Sequence, residues 1–117
     1  SPHLQEKSRI ENFIAMSMIV AWRVMLQTYL PREYPNVPCT ILFTEVEWKL
    51  AYDAAYEGRQ PIPQSTPTLK EAIMHIAMLG GYQRRKQAPG FQTIWRGTVR
   101  LMDMMRGYKI AQRICLS

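Results

Sequence analysis

The chain has 117 residues, 47% of them hydrophobic, with eight Met and three Trp, which suffices for one buried core, is too little for two, and excludes disorder beyond the ends. Its two cysteines, Cys39 and Cys115, lie far apart with no CxxC or Cys/His ligand spacing, which excludes a structural zinc site and a disulfide framework. The formal net charge is +6, and from Tyr82 onward eight basic residues face a single acid, Asp103, so the charge belongs to one part of the chain and suits either a solvated basic helix or a face meeting an anion such as nucleic acid.

The first predicted element is helix A, residues 4–29. Ser8-x-x-Glu11 has the capping-box pattern, and no Pro or Gly interrupts the chain from Ile10 to Leu30. Its apolar side chains, among them Phe13, Met18, Val20, Trp22 and Val24, point in every direction, so other helices are expected to surround it as the centre of the core. Arg23 stands inside this apolar helix, where an ion pair with Glu45, Glu47 or Asp53 of the next helix would offset its burial. The apolar run from Phe13 to Leu26 includes Ser17 and Arg23 and falls short of the roughly 20 residues of a bilayer span, so no membrane is expected as a partner. The mixed charges Glu6, Lys7, Arg9 and Glu11 do not make a signal peptide. The opening Ser1-Pro2-His3, without Met, is expected to be an internal start in a longer cytoplasmic protein.

Pro31, Pro35 and Pro38 predict an irregular segment over 30–43. Thr44-x-x-Glu47 then opens helix B, which runs to about Glu57, turns Val46, Leu50 and Ala54 inward with Trp48 and Tyr52 as further candidates, and stops at Gly58. After a Pro-rich connection over 58–67, Thr68-x-x-Glu71 opens helix C, with Leu69, Ala72, Ile73, Ile76, Ala77 and Leu79 on one stripe. Gly80 falls in the middle of that stripe. A glycine there costs about 1 kcal/mol of helix propensity relative to Ala, and the expected return is close approach of another backbone. Helix C either ends at Gly80-Gly81 or continues to Lys86, with continuation preferred; Ala88-Pro89-Gly90 is the break in both cases. Helix D covers 92–112, its apolar face centred on Ile94, Thr98, Leu101, Met105 and Tyr108, with Arg96, Arg100 and Asp103 opposite in solvent. That face is wider than one intramolecular neighbour requires. With no strand-period alternation and no repeat, the fold class is all-α: one compact domain of about four helices around helix A.

A search for catalytic chemistry finds no GxSxG, no HExxH and no phosphate-binding glycine loop. Glu71 and His75 are spaced as a surface i,i+4 pair without a third catalytic member. No catalytic and no metal-binding residue is assigned, and the Met residues at helical spacing read as core filler, with a protein-facing role open at the end of helix D.

Several strings in order carry a family resemblance: Ile19-Val20-Ala21-Trp22-Arg23, Pro38-Cys39-Thr40 with Glu45-x-Glu47-Trp48, Pro67-Thr68-Leu69-Lys70-Glu71-Ala72, Leu79-Gly80-Gly81-Tyr82, Arg85-Lys86 and Trp95-Arg96-Gly97. Together they resemble the C-terminal part of the Tn5-like cut-and-paste DNA transposases over about residues 4–110. The resemblance implies a non-catalytic dimerisation domain, with residues 1–30 continuing from a catalytic domain elsewhere in the protein. In the parent, two Asp and one Glu would hold Mg or Mn. The family's Tyr-x2-Arg-x3-Glu-x6-Lys signature is absent, since the position four after Arg32, Arg59 and Arg85 is Asn36, Pro63 and Pro89. No cofactor is therefore expected in this segment.

The resemblance further implies that Arg84, Arg85 and Lys86 meet the backbone of the transposon end, and that helix D carries the self-association contacts, for which Met102, Met105 and Tyr108 are the candidates. The expected partners are a second copy, in a homodimer that is weak when isolated, and DNA, in the bacterial cytoplasm. The expected role is dimerisation and synapsis of two transposon ends. An independent small helical DNA-binding module is the alternative, and a helical adaptor for an acidic protein a third reading.

Overall fold

A computed structural model of the chain describes residues 2–83 and 87–116. It contains four helices, α1 (Pro2–Glu33), α2 (Glu45–Ala55), α3 (Leu69–Leu79) and α4 (Phe91–Leu116), and a 3-10 turn at Cys39–Ile41. Among the described residues there is no strand, only an isolated bridge between Pro38 and Thr68. The fold is all-α.

Both internal helices begin where their capping boxes place them. Thr44 accepts from Glu47 N while Glu47 accepts from Thr44 N, and Thr68 and Glu71 repeat the arrangement, so each box satisfies two end-of-helix donors. On α2 the buried positions are Trp48 and Ala51, with Val46, Leu50 and Ala54 half-buried beside them. The inward candidates from spacing are thus all at least half-buried, with Trp48 the deepest of them, and Ala51 joins them. The chain leaves α2 through two left-handed residues, Glu57 and Gly58.

α3 stops at Leu79 and does not continue to Lys86. Gly81 adopts a positive φ of 93°, Tyr82 N donates to Ala77 O at 2.9 Å, and Gly81 N donates to Met78 O at 3.0 Å. This is the Schellman closure that a glycine past the helix end permits at no steric cost. Immediately before it, Gly80 does what its place in the stripe implied: a Cβ there would overlap the Thr93 carbonyl of α4.

α1 departs most from expectation. It begins at Pro2, so Ser8 and Glu11 lie within the helix, and it runs through Pro31 to Glu33. Proline forfeits only one helical hydrogen bond in a last turn. The next residue beyond the helix, Tyr34, still donates to Leu30 O at 2.8 Å. Nor is α1 surrounded. Its buried residues are Val20, Val24 and Gln27, so only its second half is central to the core. Phe13 is 74% exposed, Met18 67% and Trp22 59%. A helix of 32 residues is about 48 Å long, close to the longest extent of the molecule, 51 Å, whereas α2 and α3 have only 11 residues each. By length and composition it is also long and apolar enough to cross a membrane.

The core lies where the second half of α1, α2 and α3 meet the first half of α4, around Val24, Trp48, Leu69, Ile76, Ile94 and Leu101. The segment before the 3-10 turn is tied to the start of α3: Cys39 N donates to Pro67 O at 3.0 Å, Leu69 N to Val37 O at 2.7 Å and Lys70 N to Pro35 O at 3.1 Å.

Candidate interaction surface

α4 is built in two halves. Its first half is locked to α3: Gly97 packs on the Ile76 carbonyl and Gly80 on the Thr93 carbonyl, both too tightly for a Cβ. Two arginines expected opposite the core complete the joint. Arg96 Nε donates to Gly80 O at 3.1 Å and Arg100 Nη1 donates to Leu79 O. Both side chains remain exposed along their length, yet their guanidinium groups satisfy carbonyls that a helix C-terminus leaves without donors and meet its negative dipole end. The helical wheel places these arginines on the exposed face, where they are, but it cannot see the neighbouring helix end that they reach.

The second half of α4, from Arg106 onward, is exposed at every described residue. The candidate contacts straddle the boundary. Met102 and Met105 are half-buried against the core, whereas Tyr108 is 37% exposed and its hydroxyl accepts from Gln112 Nε2 at 3.0 Å. Beyond it lie exposed Ile110, Ile114 and Leu116 among Arg106, Lys109 and Arg113. A Cβ on Gly107 would meet nothing within 4 Å. Arg84, Arg85 and Lys86 lie outside the described residues; on either side of them in the chain, the Tyr82 hydroxyl donates to Gln87 O at 2.7 Å.

Arg23 pairs with Glu47 at 2.9 Å, the side chains being 25% and 12% exposed, and its guanidinium also lies 5.9 Å from the Phe43 ring centre. The same Glu47 closes the capping box of α2, so one carboxylate serves two elements. His75 is not a surface residue. It is 6% exposed and packs edge-on against Tyr52 and Tyr56 at 5.1 and 5.6 Å between ring centres. Among the described residues no group of His, Cys, Asp or Glu is arranged to hold a metal ion.

One buried pair escaped sequence reasoning. Gln27 Nε2 donates to Thr98 Oγ1 at 2.9 Å and to Arg23 O at 3.0 Å, and Thr98 donates to Ile94 O at 2.8 Å. The signal was present, because Gln27 follows Val20 and Val24 at helical spacing and so falls on the face that α1 buries. Burial also pushes the Cys39 thiol up to about 11, while the exposed Glu45 carboxyl is held below the usual range by its hydrogen bond from Lys49, at 2.6 Å.

The chain matches none of the curated proteins and none of the solved structures compared with it. The family model described as the transposase Tn5 dimerisation domain matches residues 19–115, a span that takes in the buried half of α1 and nearly all of α4. The chain therefore belongs to the Tn5 transposase dimerisation domain family, whose role is self-association and not catalysis.

Proposed function

We propose that this domain holds two transposase subunits together while two DNA ends are synapsed, and that it adds contacts of its own to the DNA backbone. The family match over residues 19–115 carries this reading. Two surface features support it. The second half of α4 extends past the core with Tyr108, Ile110 and Ile114 uncovered, and residues 82–117 hold eight of the fifteen Lys and Arg.

Self-association uses the stretch of α4 from Met102 to Tyr108, with Gly107 allowing a second helix to approach. One helix pair covers less than the ~800 Å² per partner of a standard interface, so the domain alone dimerises weakly and bound DNA strengthens the pair. Arg84, Arg85 and Lys86 supply phosphate contacts without base specificity. The exposed apolar residues of the first half of α1 pack on a catalytic domain from which this helix continues, and Mg or Mn belongs to that metal-dependent domain. We read α1 as packed against protein and not lipid because Arg23 and Gln27 bind it into a water-facing core. The setting is the bacterial cytoplasm.

The test of the DNA reading is a salt titration. Three phosphate contacts contribute a slope of about −2.7 to log K against log salt. Replacing Arg84, Arg85 and Lys86 together by Ala removes that slope; unchanged affinity and slope would overturn the assignment of these residues.

A further inference from the structure

From Arg106 onward α4 lies outside the core, and this stretch carries Arg106, Lys109 and Arg113 and no acid. At about 100° per residue the three cations fall within about 60° of one another, on a stripe about 10.5 Å long. Arg106 makes one long contact at the near end of the stripe, to Asp103 at 3.7 Å. Among the described residues Lys109 and Arg113 form no salt bridge. The fold does not account for this stripe. Like charges three and four residues apart, as Arg106 and Lys109 are, and Lys109 and Arg113, repel each other and destabilise a helix. The dipole of α4 favours a cation in its last turn, where Arg113 stands, but that benefit fades within the turn and does not reach Arg106 or Lys109.

We propose that this stripe lies along the phosphate backbone of a DNA duplex, as a second contact surface besides residues 84–86, an inference that rests on the DNA reading above. The charge pattern argues for this occupant. No apolar side chain stands between the three cations; Ile110 and Ile114 project to one side and Tyr108 to the other. A protein partner would call for an apolar centre depleted of Lys, whereas surfaces that meet DNA are polar and strongly positive. Each strand of a duplex carries one phosphate per about 3.4 Å of axis, so a helix laid along it meets about three phosphates over the length of the stripe, one for each cation. Tyr108 lies at least about 100° round the helix from all three. Pairing of two copies through Tyr108 therefore leaves the stripe of each copy open to DNA.

The test measures binding of the 117-residue chain to a short blunt duplex of arbitrary sequence across a series of salt concentrations. Replacing Arg106, Lys109 and Arg113 together by Gln should make the slope of log K against log salt shallower by about 2.7, the share of three phosphate contacts. The charge-preserving set Arg106→Lys, Lys109→Arg and Arg113→Lys should restore it. All three positions are exposed, so helix content and self-association in sedimentation should stay as in the parent chain. Lys109→Gln alone should hold or raise the urea midpoint, because it relieves two repulsions; a lower midpoint would mean that the stripe serves the fold and would end the proposal. An unchanged slope in the triple Gln variant, with a shallower one on replacing Arg84, Arg85 and Lys86, would remove the stripe and leave the DNA reading standing. No binding of the duplex by the parent chain would remove both. Loss of self-association in the triple Gln variant would make the stripe a contact between copies instead. Tighter binding of poly-glutamate than of the duplex at equal charge, abolished by the triple Gln variant, would make it a site for acidic protein.

Discussion

Gly97 of α4 lies against the backbone carbonyl of Ile76 on α3, so closely that a Cβ on Gly97 would overlap that carbonyl. One helical turn away the relationship is reversed, with Gly80 at the end of α3 facing the Thr93 carbonyl of α4. The two glycines bring the helix backbones together, and this places the Arg96 and Arg100 guanidinium groups within reach of the α3 carbonyl end.

Adding a methyl at this joint should be severe. Gly97→Ala must force α3 and α4 apart and is expected to cost about 3 kcal/mol, at the upper end of overpacking penalties. Gly107→Ala, with open space around it, should stabilise the helix by about 1 kcal/mol through propensity alone. Urea denaturation of both variants measures the contrast, and equal effects would remove the close-packing account.

Glu47 separates two contributions at one side chain. Glu47→Gln keeps an acceptor for the capping box but loses the charge facing Arg23, and should cost about 1 kcal/mol. Glu47→Ala loses both and should cost about 2–3 kcal/mol. A double-mutant cycle with Arg23→Met isolates the ion pair; a coupling near zero would mean that Arg23 acts through its packing on Phe43.

The cysteines should differ sharply in reactivity. Cys115 is exposed and should react with a thiol reagent in the folded protein, whereas Cys39, buried and with its pKa raised from 9.0 to about 11, should react only on unfolding. Because the folded state keeps the Cys39 proton to higher pH than the unfolded state, this group favours folding fully below pH 9 and progressively less between 9 and 11. Cys39→Ala should flatten that alkaline loss of stability.

Self-association should respond to Tyr108 more cleanly than to Met105. Met105 packs against the core, so Met105→Asp is expected to lower stability as well as association. Tyr108→Asp should weaken the dimer about tenfold in sedimentation across a concentration series while helix content and urea midpoint stay unchanged, as removal of one apolar interface anchor implies. Unaltered association would place the contact on another surface of α4.

Much of this domain was legible from local chemistry. The capping boxes at Thr44 and Thr68, the glycine at position 80 and the partner class of Arg23 follow from rules acting over one or two turns, and the ordered strings from Ile19 to Gly97 carried the family. Propensity and the single helical wheel misled where a neighbour decided the outcome. They put His75 on the surface and helix A at the centre of a bundle, and they gave no sign that the exposed Arg96 and Arg100 reach the carbonyl end of α3.

What the sequence by itself determined is four helices, three of their starts and ends to within a few residues, and the concentration of positive charge after Tyr82. Which halves of α1 and α4 are buried was decided only by tertiary packing. Periodicity reports that a face is apolar, but not how far the neighbouring helices extend along it; α2 and α3, at 11 residues each, are too short to cover a 32-residue α1 or a 26-residue α4. The uncovered lengths are where this dimerisation domain can meet other molecules.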